Sequence, residues 1–176
     1  MTWNSHERSI MGLLDLFKKE DTVVEFPYSI KATASGEVVA MKDIPDAVFA
    51  QGMVGPCIGI EPDNGTIVAP CDGTILQLSD TRHAFGIQGK AGEQMLVHIG
   101  IDTVSMNGDG FKAFAKVGDS VKAGQPIIEM DIDKVKAAGH PTVVITILSN
   151  ANSFDEVKFT EASSVSVGDN LIVINK

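Results

Sequence analysis

Two histidines stand where a short reversal of the chain would bring them together. His83 and His98 flank the strand-like runs Ala84–Gln88 and Glu93–Val97, which are separated by Gly89-Lys90-Ala91-Gly92. The glycines supply the positive φ values that a tight hairpin needs. With the reversal centred between Lys90 and Ala91, positions whose numbers sum to 181 face each other, as 83 and 98 do. Directly opposed residues carry Cβ atoms roughly 4.5 to 5.5 Å apart, so both imidazoles could reach one small group between them. Alternation puts Phe85, Leu96 and Gly100 on the histidine face and turns Val97 and Ile99 into a core. A slip of one residue would destroy this arrangement.

Such a pair admits three chemistries. It can be structural, satisfied by backbone and water. It can bind a metal, but the chain has no HxH or HExxH, and Asp102 is the candidate for a further ligand. It can carry a covalent phosphoryl group, because imidazole is a nucleophile near neutral pH and a second imidazole can hydrogen-bond the oxygens of the transferred group. Thr81, two residues before His83, would share its face and fix its ring. There is no GxxxxGK[ST], dinucleotide fingerprint or kinase motif set, which argues against a nucleotide as phosphoryl source. His140 reads as a residue of a helix-ending turn, and His6 lies in the N-terminal stretch.

The elements that must position these side chains are short strands. From Thr22 onward the chain runs through β-branched or apolar segments, among them Gly36 to Val39, Gly73 to Leu78, Gln94 to Ile99 and Val143 to Ile147, punctuated by Gly, Pro, Asn and Asp. That is the pattern of an all-β, antiparallel sandwich or barrel. Helical spacing is confined to Asp133–Ala138 and Phe154–Val157. Ala34-Ser-Gly-Glu-Val-Val39 echoes Cys71-Asp-Gly-Thr-Ile-Leu76, and Val117-Gly-Asp119 echoes Val167-Gly-Asp169, as a duplicated half-sandwich or shared turn chemistry would produce.

Residues 1–20 differ from the rest. Ile10, Leu13, Leu14 and Phe17 fall at helical spacing before Lys18 and Lys19, so a short amphipathic helix with weak membrane-surface contact through residues 10–19 is expected, or else a frayed tail. Met11 offers an alternative start. The remainder, residues 21–176, reads as one domain, the size 176 residues allow. A hydrophobic fraction of 44% with 21% charged residues is ordinary for a soluble chain, and no apolar run is long enough to cross a membrane. Fourteen Lys plus Arg against 23 Asp plus Glu give a net charge of −9, which disfavours nucleic acid and fits a basic or mixed-charge protein partner. Cys57 and Cys71 form no CxxC and follow no signal peptide, so a cytoplasmic, reducing setting with both thiols free is expected.

Ala69-Pro-Cys-Asp-Gly-Thr-Ile75, Thr81-Arg-His-Ala-Phe-Gly-Ile87 and Leu96-Val-His-Ile-Gly-Ile-Asp-Thr-Val104 together resemble the glucose-type IIA component of the phosphoenolpyruvate-dependent sugar phosphotransferase system. The likeness extends over Asp43–Phe49, Met53–Gly55, Gly108–Phe111 and Val117–Pro126. It implies a β-sandwich that takes a phosphoryl group from the histidine-containing phosphocarrier protein and passes it to the IIB domain of a sugar permease, without metal or cofactor. The resemblance implies phosphorylation of His98 at Nε2, with His83 as its partner, Thr81 orienting His83 and the Gly100 carbonyl holding the other nitrogen of His98. Asp46 and Asp102 match acidic positions at the rim, and Val48, Phe49 and Leu96 an apolar docking collar. Ser79 and Ile99 depart from the enteric glucose protein, where aromatic residues stand. The start Gly12-Leu-Leu-Asp-Leu-Phe17 resembles the membrane-touching tail of free-standing IIA proteins, and implies a location at the inner face of the membrane.

Two rivals come from other classes. Gly118–Lys134 resembles the strand-and-turn segment of lipoyl or biotinyl carrier domains, with Lys134 at the modified position, although the following Val135–Gly139 reads as helix rather than strand. A regulatory protein on the same fold, without chemistry at the histidines, is the other.

Overall fold

The computed structural model describes residues 23–176, so the expectations for the amphipathic stretch at residues 10–19 and for the start of the chain lie outside it. Among the described residues fourteen strands, all paired antiparallel, form three sheets. The largest runs through Ser164–Val165 (β13), Gly36–Val39 (β2), Cys57–Pro62 (β3), Val144–Leu148 (β11), Gln94–Ile99 (β7), Ala84–Gly89 (β6), Gly73–Leu78 (β5) and Ser120–Val121 (β9). Two three-stranded sheets complete the sandwich: Tyr28–Lys31 (β1), Asn170–Asn175 (β14) and Glu156–Phe159 (β12) in one, Thr66–Val68 (β4), Pro126–Met130 (β10) and Phe111–Ala113 (β8) in the other. Their inward faces enclose a core rich in isoleucine, including Ile30, Ile60, Ile67, Ile75, Ile87, Ile99, Ile127 and Ile128.

The strands expected at 36–39, 73–78 and 94–99 form at those bounds, and that at 143–147 forms one residue later. Val144–Leu148, apolar at four of its five positions and buried at all five, lies between two neighbours, as a run without polar alternation should. β7 is amphipathic: Met95, Val97 and Ile99 are buried in the main core, while Gln94, Leu96 and His98 turn to the opposite face. That face carries a second, smaller core of Ile44, Cys57, Ile101, Val143, Ile145 and Ile147, with Met41, Phe49 and Leu96 packed on it.

Two helical expectations have different outcomes. Asp133–Ala138 corresponds to the helix Ile132–Ala137 (α2), which the Asp131 carboxylate caps by accepting the Lys134 N–H at 3.0 Å. Phe154–Val157 is not helical. Phe154 follows a 3₁₀ turn at Ala151–Ser153, and Glu156–Phe159 pairs along β14, because the outward Glu156 and Lys158 alternate with inward Val157 and Phe159. A helix that local pattern did not signal, Ala47–Ala50 (α1), is held by Asp46, whose Oδ1 accepts the N–H groups of Val48 and Phe49. The sequence echo has a local counterpart: Asp119 and Asp169 each accept the N–H three residues back, at 3.0 and 2.8 Å, across a left-handed Gly118 or Gly168. Cys57 and Cys71 are buried free thiols; Cys57 Sγ donates to the Phe49 carbonyl at 3.5 Å, and burial pushes its pKa up to about 11.

Candidate functional site

The hairpin that carries the two histidines does form, but its register is one residue away from the expected one. Ala84 pairs with His98, Gly86 with Leu96 and Gln88 with Gln94, so opposed residue numbers sum to 182 rather than 181. The cause is the turn: Gly89 N–H bonds the Glu93 carbonyl at 2.9 Å, Gly92 has φ 85°, and Lys90, Ala91 and Gly92 form a three-residue loop centred on Ala91. His83 therefore lies opposite Ile99, whose N–H donates to the His83 carbonyl at 2.7 Å. Phe85, expected beside the histidines, belongs instead to the main core with Val97 and Ile99.

The rings nevertheless meet, 5.1 Å between centroids and nearly perpendicular at 78°. His83 precedes the first residue of β6 and follows Arg82, whose backbone is left-handed at φ 58°, so its side chain is released from the alternation of the strand. The turn is closed by Ser79 N–H to the Ala84 carbonyl at 3.0 Å and by Ala84 N–H to Ser79 Oγ at 3.1 Å. Thr81 Oγ1 lies 2.6 Å from His83 Nδ1, and Ser79 Oγ lies 3.3 Å from the same atom.

His98 is oriented by backbone. Its Nδ1 is 2.8 Å from the Gly100 carbonyl, which can only accept, so the proton sits on Nδ1 and the lone pair on Nε2. Gly100 holds this pose through its own N–H to the Val143 carbonyl at 2.8 Å and through φ 73°, with the Thr103 side chain packed where a Cβ would go. Thr103 in turn donates its hydroxyl to the Ile99 carbonyl at 2.6 Å. Phe49 covers His98 from the second core, with ring centroids 5.0 Å apart.

Burial lowers the pKa of His98 below the usual imidazole value, and the nearby His83 ring lowers it further; the Gly100 bond and the charges of Asp46 and Asp102 oppose this. Burial lowers His83 as well. Both rings are thus neutral around pH 7, and His98 presents an unprotonated Nε2, a competent nucleophile.

The residue range 28–154 matches the family described as phosphoenolpyruvate-dependent sugar phosphotransferase system, EIIA 1. The chain belongs to this family. It is 35% identical over 155 residues to the glucose-specific EIIA component of Oceanobacillus iheyensis, covering 88% of this chain and 90% of that protein. It is 40% identical over 136 residues to the glucose-specific EIICBA component of Streptococcus pneumoniae, covering 77% of this chain and only 19% of the longer relative. The solved structure of glucose permease IIA from Mycoplasma capricolum superposes with a TM-score of 0.72 at 30% identity, covering 83% of this chain and 94% of that one. The chain is a IIA component of the phosphotransferase system on a β-sandwich fold.

In this IIA chain the structure brings together His98, His83, Thr81 and the Gly100 carbonyl, with Phe49 against His98. Asp46 is committed to capping α1, while Asp102 is exposed on a left-handed residue before a 3₁₀ turn. Val48 is exposed on α1 and Leu96 is half-buried beside the second core. The same segments expose Met53, Val54 and Val104, apolar side chains that sequence pattern could not single out because only burial separates them from core residues. Ser79 is the other addition; its position four residues before His83 carried no signal without the turn geometry. The His140 ring meets Ser105 Oγ at 3.2 Å on the surface, and its backbone N–H donates to the Val135 carbonyl of α2. Lys134 lies within α2 and pairs with Asp109 at 2.8 Å, rather than at the hairpin tip that a lipoyl-type attachment requires. Among the described residues no helix is long and apolar enough to cross a membrane.

Proposed function

We propose that this IIA chain is a phosphoryl relay that forms a covalent phosphohistidine at His98 Nε2. Its donor is the histidine-containing phosphocarrier protein, and its acceptor is the IIB domain of a sugar permease at the inner face of the membrane. The reading rests above all on His98, with Nδ1–H tied to the Gly100 carbonyl and Nε2 left free beside His83. In the loading step the Nε2 lone pair attacks phosphorus in line, and the P–N bond of the donor's phosphohistidine breaks. Nδ1 keeps its proton, so the phosphorylated ring is cationic and can depart as neutral imidazole in the next transfer. His83, with Nδ1 engaged by Thr81, carries its own proton on Nε2 and donates it to a phosphoryl oxygen.

Asp46, Asp102, Val48, Phe49 and Leu96 form the docking rim, acidic groups meeting a cationic side chain of the donor and apolar ones supplying contact area. Labelled phosphoenolpyruvate, with the two general proteins of the system, tests the assignment. Wild type takes up label and His98→Ala takes up none; equal labelling of the two would overturn it.

A further inference from the structure

A second hydroxyl reaches the Nδ1 edge of His83. Ser79 Oγ lies 3.3 Å from that nitrogen, beside Thr81 Oγ1 at 2.6 Å. Ser79 is fixed on three sides: its N–H donates to the Ala84 carbonyl, its carbonyl accepts the Arg82 N–H at 2.9 Å, and its Oγ accepts the Ala84 N–H. One Oγ lone pair is therefore committed to the backbone, and the hydroxyl hydrogen is free to turn toward the imidazole. The longer contact makes Ser79 the weaker of the two donors and Thr81 the stronger.

We propose that Ser79 is a second positioning residue for His83, acting with Thr81 on Nδ1 so that the ring presents its Nε2–H to the phosphoryl group on His98. This rests on the phosphocarrier reading. Two hydroxyls sharing the lone pair of one nitrogen restrain ring rotation about the Cβ–Cγ bond more than one does. The clasp between Ser79 and Ala84 couples that restraint to the start of β6, the strand that pairs with His98.

The test reads the ¹⁵Nδ1 resonance of His83 in the unphosphorylated protein and, separately, the two transfer rates. In Ser79→Ala the resonance moves toward that of an unbonded imidazole nitrogen, donation to IIB falls about 3- to 10-fold, and acceptance stays unchanged. Ser79→Thr keeps the hydroxyl and restores both readouts, which a role in packing alone would not do. In Thr81→Val the resonance moves further, and the double variant exceeds it. A double variant indistinguishable from Thr81→Val overturns the proposal. If removal of the hydroxyl unfolds the turn, Ser79→Cys, with its weak S–H donor, is read instead, and an unmoved resonance there overturns it equally. Failure of the phosphocarrier reading shows separately, as a wild type that takes no label.

Discussion

Replacing His83 by Gln separates the two half-reactions of the relay. His98 keeps its bond to the Gly100 carbonyl and its contact with Phe49 in this variant, because neither involves His83. Attack on the incoming phosphoryl group therefore proceeds at close to the wild-type rate. The loss falls on the transfer to IIB, where in the proposed relay the His83 Nε2–H bonds a phosphoryl oxygen more strongly in the transition state than in the loaded state. A hydrogen bond to a charged group contributes about 1.5 to 3 kcal/mol. At about 1.4 kcal/mol per tenfold in rate, its loss slows donation to IIB by about 10- to 150-fold, at the lower end if the Gln amide partly replaces the imidazole N–H. Rapid-quench measurement with labelled phosphohistidine donor reads acceptance, and chase with IIB reads donation. A donation rate within about twofold of wild type refutes the role given to His83, as does an equal loss in both steps.

Three further outcomes follow from burial and charge. Because burial lowers the pKa of His98 from the ordinary 6.5, the acid-side decline of acceptance has its midpoint below pH 6.5, and a decline centred above 6.5 would contradict the desolvated site. Phe49→Ala opens His98 to water, so NMR titration finds its pKa shifted back up toward 6.5; an unchanged value would remove Phe49 as the shield. Glu93 is fully buried with neither carboxyl oxygen hydrogen-bonded, and burial raises its pKa above the usual carboxylate value. Its contribution to stability is complete below the unfolded-state pKa of 4.5 and is lost as pH rises through the folded value, so Glu93→Gln raises Tm more at about pH 8 than at about pH 4; a pH-independent change would refute this.

The sequence disclosed the strands well and singled out His83, His98 and Thr81, which the fold brings together, but not how these residues meet. Alternation in Gln94–Ile99 and the unbroken run Val144–Leu148 mark one-faced and two-faced burial directly in residue type. Register is another matter. Gly89 and Gly92 both announce a reversal, yet whether the loop holds two residues or three depends on which glycine adopts the left-handed conformation, and that shifts every pairing by one. His83 escapes the consequence because Arg82 turns the backbone just before it. That conformation is uncommon for a non-glycine residue and left no trace in composition. Phe154–Val157 misled in the other direction: its second half enters the strand Glu156–Phe159, which pairs along β14 whatever the local helical spacing. The contacts of Ser79 and Phe49 with the histidine rings arise from chain closure, and so belong to the folded molecule alone.

If His98 carries the phosphoryl group as proposed, its bond to the Gly100 carbonyl also sets the traffic through the protein. With Nδ1 permanently turned inward, a single atom serves as both entrance and exit, so loading and unloading partners must take turns at one doorway. Such a relay obeys ping-pong kinetics: raising the concentration of one partner cannot hasten the other's step, and excess empty donor obstructs delivery by occupying the same face. One backbone oxygen thus makes the flow of phosphoryl groups single-file.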